Sequence, residues 1–229
     1  MILNKIDKSD FENVSYYAYE KIKKSILCRE IGFDRKISIK EISELLGISR
    51  TPIREALIML TKDKIIERNE DGSFTIRQFS MKDVQDMYEF REIIEKKSIK
   101  PILENSNEKS MENLKNILSF SRKAIEQNNP SNAMLGDLEF HIKFIEIGNN
   151  ATITEAITTC MERLTLIGRS IANLTDCIES NEEHEQIIDT LIYKNSEKLN
   201  LSVTDHIKKA KSRRFKILKN DIERLYIKS

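Results

Sequence analysis

The chain has 229 residues, enough for two modest domains, and its formal net charge of +1 excludes indiscriminate polyanion binding, so any nucleic-acid surface must be local. Six Gly and three Pro fit a mainly helical protein, and three Cys without a C-x-x-C pair exclude a disulfide framework in favour of reduced thiols. No apolar run is long enough to span a membrane and MILNKIDKSD lacks the apolar centre of a signal peptide, so no membrane association and a cytoplasmic location are expected.

Residues Met1–Glu12 are expected to form a partly ordered arm. Apolar spacing predicts a helix over Ser15–Cys28 with Ala18, Ile22, Ile26 and Leu27 inward. Its Lys21, Lys23 and Lys24 form a solvated face, with phosphate contact as the lesser alternative. The strongest local pattern is Ile39–Ile76. Ile42, Leu45 and Leu46 mark a short helix that Gly47 stops. Ser49 or Thr51 can cap the next helix, whose first turn tolerates Pro52 and whose buried stripe is Ile53, Ala56, Leu57 and Leu60. Two β-prone segments, Ile65–Arg68 and Phe74–Arg77, flank Asn-Glu-Asp-Gly and predict a hairpin. Helix, turn, helix and hairpin make a winged helix-turn-helix.

The second of these helices has DNA-reading chemistry. Arg50 and Arg54 lie four residues apart on one face near the helix N-terminus, where a guanidinium fork can bond guanine or clamp a phosphate. Ser49 and Thr51 add short donors, Lys40 can reach the DNA backbone, and Gly72 lets the hairpin tip approach a minor groove. The plainer alternative makes both arginines surface charges, with Arg54 facing Glu55 or Ile58. The run SRTPIREAL, preceded by an Ile-Ser-Glu-Leu-Leu-Gly helix and followed by Asp-Gly, resembles the DNA-binding domain of the GntR family of bacterial transcription regulators. The resemblance implies that Arg50 and Arg54 contact an operator and that Gly72 is the wing glycine. Lys40 stands where the family often has arginine, which keeps the charge and loses the fork.

A link is expected near Gln78–Met81, where Ser80 can cap the following helix, dividing the chain into 1–79 and 80–229. From there the pattern is helical throughout: Met81–Ile99, Lys109–Glu126, Ser131–Ile147, Thr152–Asn173, Asp176–Tyr193 and Ser196–Tyr226. Pro101 is expected to end or kink the first, Pro130 to precede the third, and Gly148-Asn149-Asn150 to stop it. Short loops imply an all-α bundle, so the fold class is mainly α: a winged helix-turn-helix plus a helical bundle whose interior can house a ligand or metal.

All three histidines fall in this half. Asp137 and His141 share one helix face, while His184 and His206 are in register with the apolar stripes of their own helices, so the four can converge in the bundle core. Three imidazoles and a carboxylate suit a divalent ion, zinc first, with nickel, manganese or iron also accommodated, either closing a tetrahedron or leaving positions open for an anionic ligand. Asp137-x-x-x-His141, Gly148-Asn149, Glu183-His184 and Asp205-His206, with Tyr88-Glu89-Phe90-Arg91 and Glu95, are similar to the FCD effector-binding domain of the FadR branch of GntR regulators. The resemblance implies that the quartet binds a divalent metal that helps hold a small carboxylate effector, and it argues against a fatty-acyl effector.

Arg91 is the first candidate to pair with the effector's carboxylate, with an ion pair to Glu95 as the equal alternative. Arg169 is a second candidate. The run Lys208–Lys219 carries seven basic residues and no acid, and is expected to be a solvated face, with a DNA role as the lesser alternative. The expected function is that of a ligand-responsive, homodimeric transcription regulator reading a palindromic double-stranded operator under control of a small organic acid. The alternatives are a metalloenzyme of hydrolase type and a regulator that senses the metal alone. Against the enzyme, His184-Glu185-Gln186-Ile187-Ile188 is not H-E-x-x-H, and no G-x-S-x-G motif is present.

Overall fold

Ser38 accepts a hydrogen bond from the Glu41 backbone N–H and so starts α2 (Ile39–Leu46), and Gly47 ends it at φ 67°. That left-handed turn is open to glycine without the Cβ clash other residues meet. The helix before it, α1, covers Val14–Leu27 and buries Ala18, Ile22, Ile26 and Leu27. After the turn, α3 (Arg50–Lys62) buries Ile53, Ala56, Leu57 and Leu60 against α1 and α2. Ser49 holds its N-cap position without a side-chain hydrogen bond, and Thr51 is already inside the helix. Leu45 departs from expectation: it is 37% exposed, because the narrow buried face of an eight-residue helix is filled by Ile42 and Leu46.

The computed structural model describes residues 14–28, 30–32, 36–169 and 173–227, without the side chains of 168–169 and 220–227; the arm expected over Met1–Glu12 lies outside the described residues. The hairpin pairs β1 (Ile66–Arg68) with β2 (Phe74–Ile76) in antiparallel register, Ile66 opposite Ile76 and Arg68 opposite Phe74. Ile37 adds a bridge to Phe74, so the wing is tied to the start of α2. At the tip, Gly72 has φ 79°, and the Asp71 carboxylate accepts from the Ser73 N–H at 3.0 Å.

Two compact units result, Met1–Gln78 and Phe79–Ser229. The second is helical throughout its described residues: α4 (Met81–Asn105), α5 (Glu108–Glu126), α6 (Pro130–Glu146), α7 (Ala151–Arg169), α8 (Leu174–Ile192) and α9 (Ser196–Ile227). Ser80 and Asp83 form a reciprocal capping box at the start of α4. Within the unit α6 packs on α5, α7 and α8, and α9 packs on α4 and α8. Pro101 does not end α4, which runs on to Asn105. Proline removes one backbone hydrogen bond there, but Ile99 and Ile102 are buried on either side of it, and their burial outweighs the local loss. Helix α7 is described as far as Arg169; the rest of its expected course lies outside the described residues, up to Asn173, which is the N-cap of α8. Among the described residues no helix is long and apolar enough to cross a membrane.

A candidate metal centre and a candidate DNA-reading helix

Helix α6 presents Asp137 and His141 one turn apart, α8 presents His184, and α9 presents His206. All three imidazoles are buried, none more than 1% exposed. His141 Nε2 lies 3.0 Å from His206 Nε2 and 3.1 Å from His184 Nε2. Asp137 Oδ1 lies 3.7 Å from His184 Nε2 and accepts a hydrogen bond from Ser180 Oγ at 2.6 Å. Of the quartet picked out from the sequence, the three histidines therefore meet at one place, and Asp137 stands beside one of them, His184.

Carboxylates behind the rings fix which nitrogen faces the centre. His206 Nδ1 is 2.8 Å from Glu183 Oε2, and His141 Nδ1 is 3.2 Å from Glu95 Oε2. A neutral ring that donates Nδ1–H to a carboxylate keeps its lone pair on Nε2, the atom turned to the centre. Glu183 is in turn gripped by the Arg213 guanidinium at 2.9 and 2.7 Å, and Phe140 stacks on His184 with ring centroids 4.0 Å apart. Burial pushes the His206 pKa down to about 4 against the pull of Glu183, and pushes His184 well below its usual value. Both rings are thus neutral at pH 7, the form that binds metals.

The donor set fits a divalent ion. Two ligand atoms about 2.1 Å from a common ion are about 3.0 Å apart at right angles and about 3.4 Å apart in a tetrahedron. The 3.0–3.1 Å spacings match the first, a shell that leaves room for further ligands. Rings that give their single N–H to Glu183 and Glu95 have none left for the centre, where Arg91 Nη2, 2.7 Å from His141 Nε2, is a donor.

Arg91 is 2% exposed; its Nε donates to Glu95 and its Nη2 lies 2.7 Å from His141 Nε2. The pairing with Glu95 posed as an alternative is thus present, and the Arg91 charge, working against burial, holds the Glu95 pKa at about 2. The Arg169 side chain lies outside the described residues. Beside the imidazoles is a cavity of about 40 Å³, bounded by Tyr88, Arg91, Asp137, Ser180, Asn181, Arg213 and Arg214 among others. The basic run of α9 is not simply a solvated face, because Arg213 and Arg214 turn inward to this cavity. Their spacing from His206, seven and eight residues, was the signal: it returns them to the same side of the helix.

In the first unit Lys40, Ser49, Arg50, Thr51 and Arg54 are all exposed. Among the described residues Arg50 and Arg54 have no ion pair, and Glu55 is engaged instead by Ser15. Lys40 lies 3.9 Å from Glu44. An unpaired Arg-x-x-x-Arg face at the start of α3, beside a hairpin whose tip is Gly72, is the arrangement that groove reading requires.

Residues 16–76 match the gntR family of bacterial regulatory proteins, and residues 86–209 match the FCD domain. The chain is 25% identical over 133 residues to an uncharacterized HTH-type transcriptional regulator, YdhC, of Bacillus subtilis, a match spanning 58% of this chain and 59% of that one. It is 24% identical over 208 residues to the Uxu operon regulator of Haemophilus influenzae, covering 83% of this chain and 76% of the relative. In fold it is similar to E. coli McbR/YncC, with a TM-score of 0.80 at 16% identity over 90% of this chain and 99% of that one.

Proposed function

The chain belongs to the gntR family of bacterial regulatory proteins, in the group that carries an FCD domain, and from that premise we propose that it is a transcription regulator whose hold on its operator is set by a small carboxylate at a divalent-metal site. Family membership makes it a DNA-binding regulator and not an enzyme. The observation that carries the finer reading is the convergence of three buried imidazole nitrogens, with His184 and the neighbouring Asp137 lining a cavity edged by arginines.

In this reading residues 1–79 bind DNA. Arg50 and Arg54 enter the major groove, Ser49, Thr51 and Lys40 hold phosphates, and the Gly72 tip follows a minor groove. Residues 80–229 bind the ion, the effector and a second copy of the chain. Asp137, His141, His184 and His206 hold the ion, zinc first, which supplies a positive centre for the acid. Arg91, already oriented by Glu95, turns its remaining N–H groups to the effector's carboxylate. Two copies related by a twofold axis match a palindromic operator, and three free thiols suit the cytoplasm. The acid alters operator affinity only by binding two arrangements of the dimer unequally.

The test is fluorescence anisotropy on operator DNA recovered by selection from a random pool. Arg50→Ala and Arg54→Ala should each cost about 1–3 kcal/mol of operator binding while leaving zinc affinity unchanged. His141→Ala should leave DNA binding intact and abolish its response to added acid. Normal operator affinity in both arginine variants would remove α3 from the readout.

A further inference from the structure

Beyond His184 and Asp137, the cavity has polar lining that the metal quartet does not use. Asn181 on α8 and Arg214 on α9 line it. Asn181 is only 6% exposed, and its Oδ1 is buried without a hydrogen-bond partner among the described residues; the Arg214 Nε is in the same condition. The cavity's other guanidinium groups already have acidic partners, Arg91 in Glu95 and Arg213 in Glu179 and Glu183. Arg214 lies eight residues beyond His206, about 12 Å further along the helix. Asn181 lies one turn before His184. Because α8 and α9 are neighbours joined by a short link and so run antiparallel, the two residues fall on the same side of the His184–His206 pair.

We propose that Asn181 and Arg214 form a second subsite that selects an effector bearing a hydroxyl remote from its carboxylate. The inference rests on the effector reading given above and adds the chemistry of the effector's far end. A hydroxyl oxygen accepts from Arg214 Nε while its proton goes to Asn181 Oδ1, so one atom satisfies both groups. A second carboxylate would satisfy the guanidinium but turn lone pairs toward the amide oxygen. A methyl group would leave both unmade, which is why a buried polar pair discriminates strongly against analogues that lack the partner. A cavity of about 40 Å³ restricts the effector to a short chain.

The test is calorimetric titration of the full chain, loaded with zinc, against propanoate, the hydroxypropanoate hydroxylated at its terminal carbon, and malonate. The hydroxy acid should bind at least about tenfold more tightly than propanoate, by the worth of a hydrogen bond to a charged group. That advantage should vanish in Asn181→Leu and in Arg214→Met, with zinc stoichiometry and affinity retained in both. Equal binding of propanoate and the hydroxy acid overturns the subsite while leaving the effector site standing, and this comparison needs no variant. Tightest binding of malonate, or an advantage that survives both substitutions, also overturns it. Failure of every acid to bind the zinc-loaded chain would overturn the effector reading itself.

Discussion

At the residue scale, the groups behind the metal ligands matter as much as the ligands. Glu183 accepts from His206 and is itself forked by Arg213, so one carboxylate sets both the tautomer and the orientation of the ring. Glu183→Gln keeps the shape and removes the charge, and Arg213 retains Glu179 at 3.3 Å as a partner. Zinc affinity in competition with a chromophoric chelator should fall about 10–100-fold, with the metal-free protein still folded; unchanged affinity would make the fork a packing feature only. Cys160 gives a pH prediction independent of the ion. Its thiol is 5% exposed, and burial pushes its pKa up to about 12 from the ordinary 9. Between those values the unfolded chain loses a proton that the native protein keeps, so the stabilisation, complete below pH 9, drains away as pH rises toward 12. Urea midpoints on either side of pH 9 should show a smaller decline for Cys160→Ala than for the parent chain.

At the element scale, the short helices of the first unit were legible because capping and periodicity agree there. Ser38, Gly47 and the stripe Ile53-Ala56-Leu57-Leu60 each act where they stand in the chain. Helix α4 was less legible at Pro101, where local preference favours a break and tertiary burial of Ile99 and Ile102 decides otherwise. The inward turn of Arg213 and Arg214 was hidden for a related reason, since a run of like charges looks solvated until the neighbouring helix supplies Glu183. The meeting of His141, His184 and His206, with Asp137 beside His184, could be read because each residue lies on the apolar side of its own helix, but the rotation of the helices around it could not. Packing between α5 and α6 yields a sharp expectation. A Cβ on Gly136 would stand 2.9 Å from the Ser121 Cβ, too close for two carbons. Gly136→Ala should therefore destabilise by about 1–3 kcal/mol in denaturant titration. Adding Ser121→Gly should recover most of that, whereas Ser121→Ala, which keeps the Cβ, should not.

At the scale of the whole molecule, two units with separate cores share one chain, and among the described residues the proposed ion's ligands belong to the second. Anything that binds the native form and not the unfolded one stabilises by mass action, about 2.7 kcal/mol at a free concentration 100 times its dissociation constant. For a unit of this size that corresponds to a rise of very roughly 5–10 °C in midpoint. The rise should appear in the transition of Phe79–Ser229, and amides of α6, α8 and α9 should gain protection from hydrogen exchange when zinc is added to chelator-treated protein. Amides of α2 and α3 should not change with zinc alone, because among the described residues the histidines of the centre all come from the second unit. Operator DNA should protect α3 instead. The regulatory step then has its own signature: adding the acid to the zinc-loaded, DNA-bound protein should alter protection in α3, although the acid binds in the other unit. Zinc protection spread evenly over both units, or an α3 signal that ignores the acid, would mean that the two ends of the chain are not thermodynamically linked through this site.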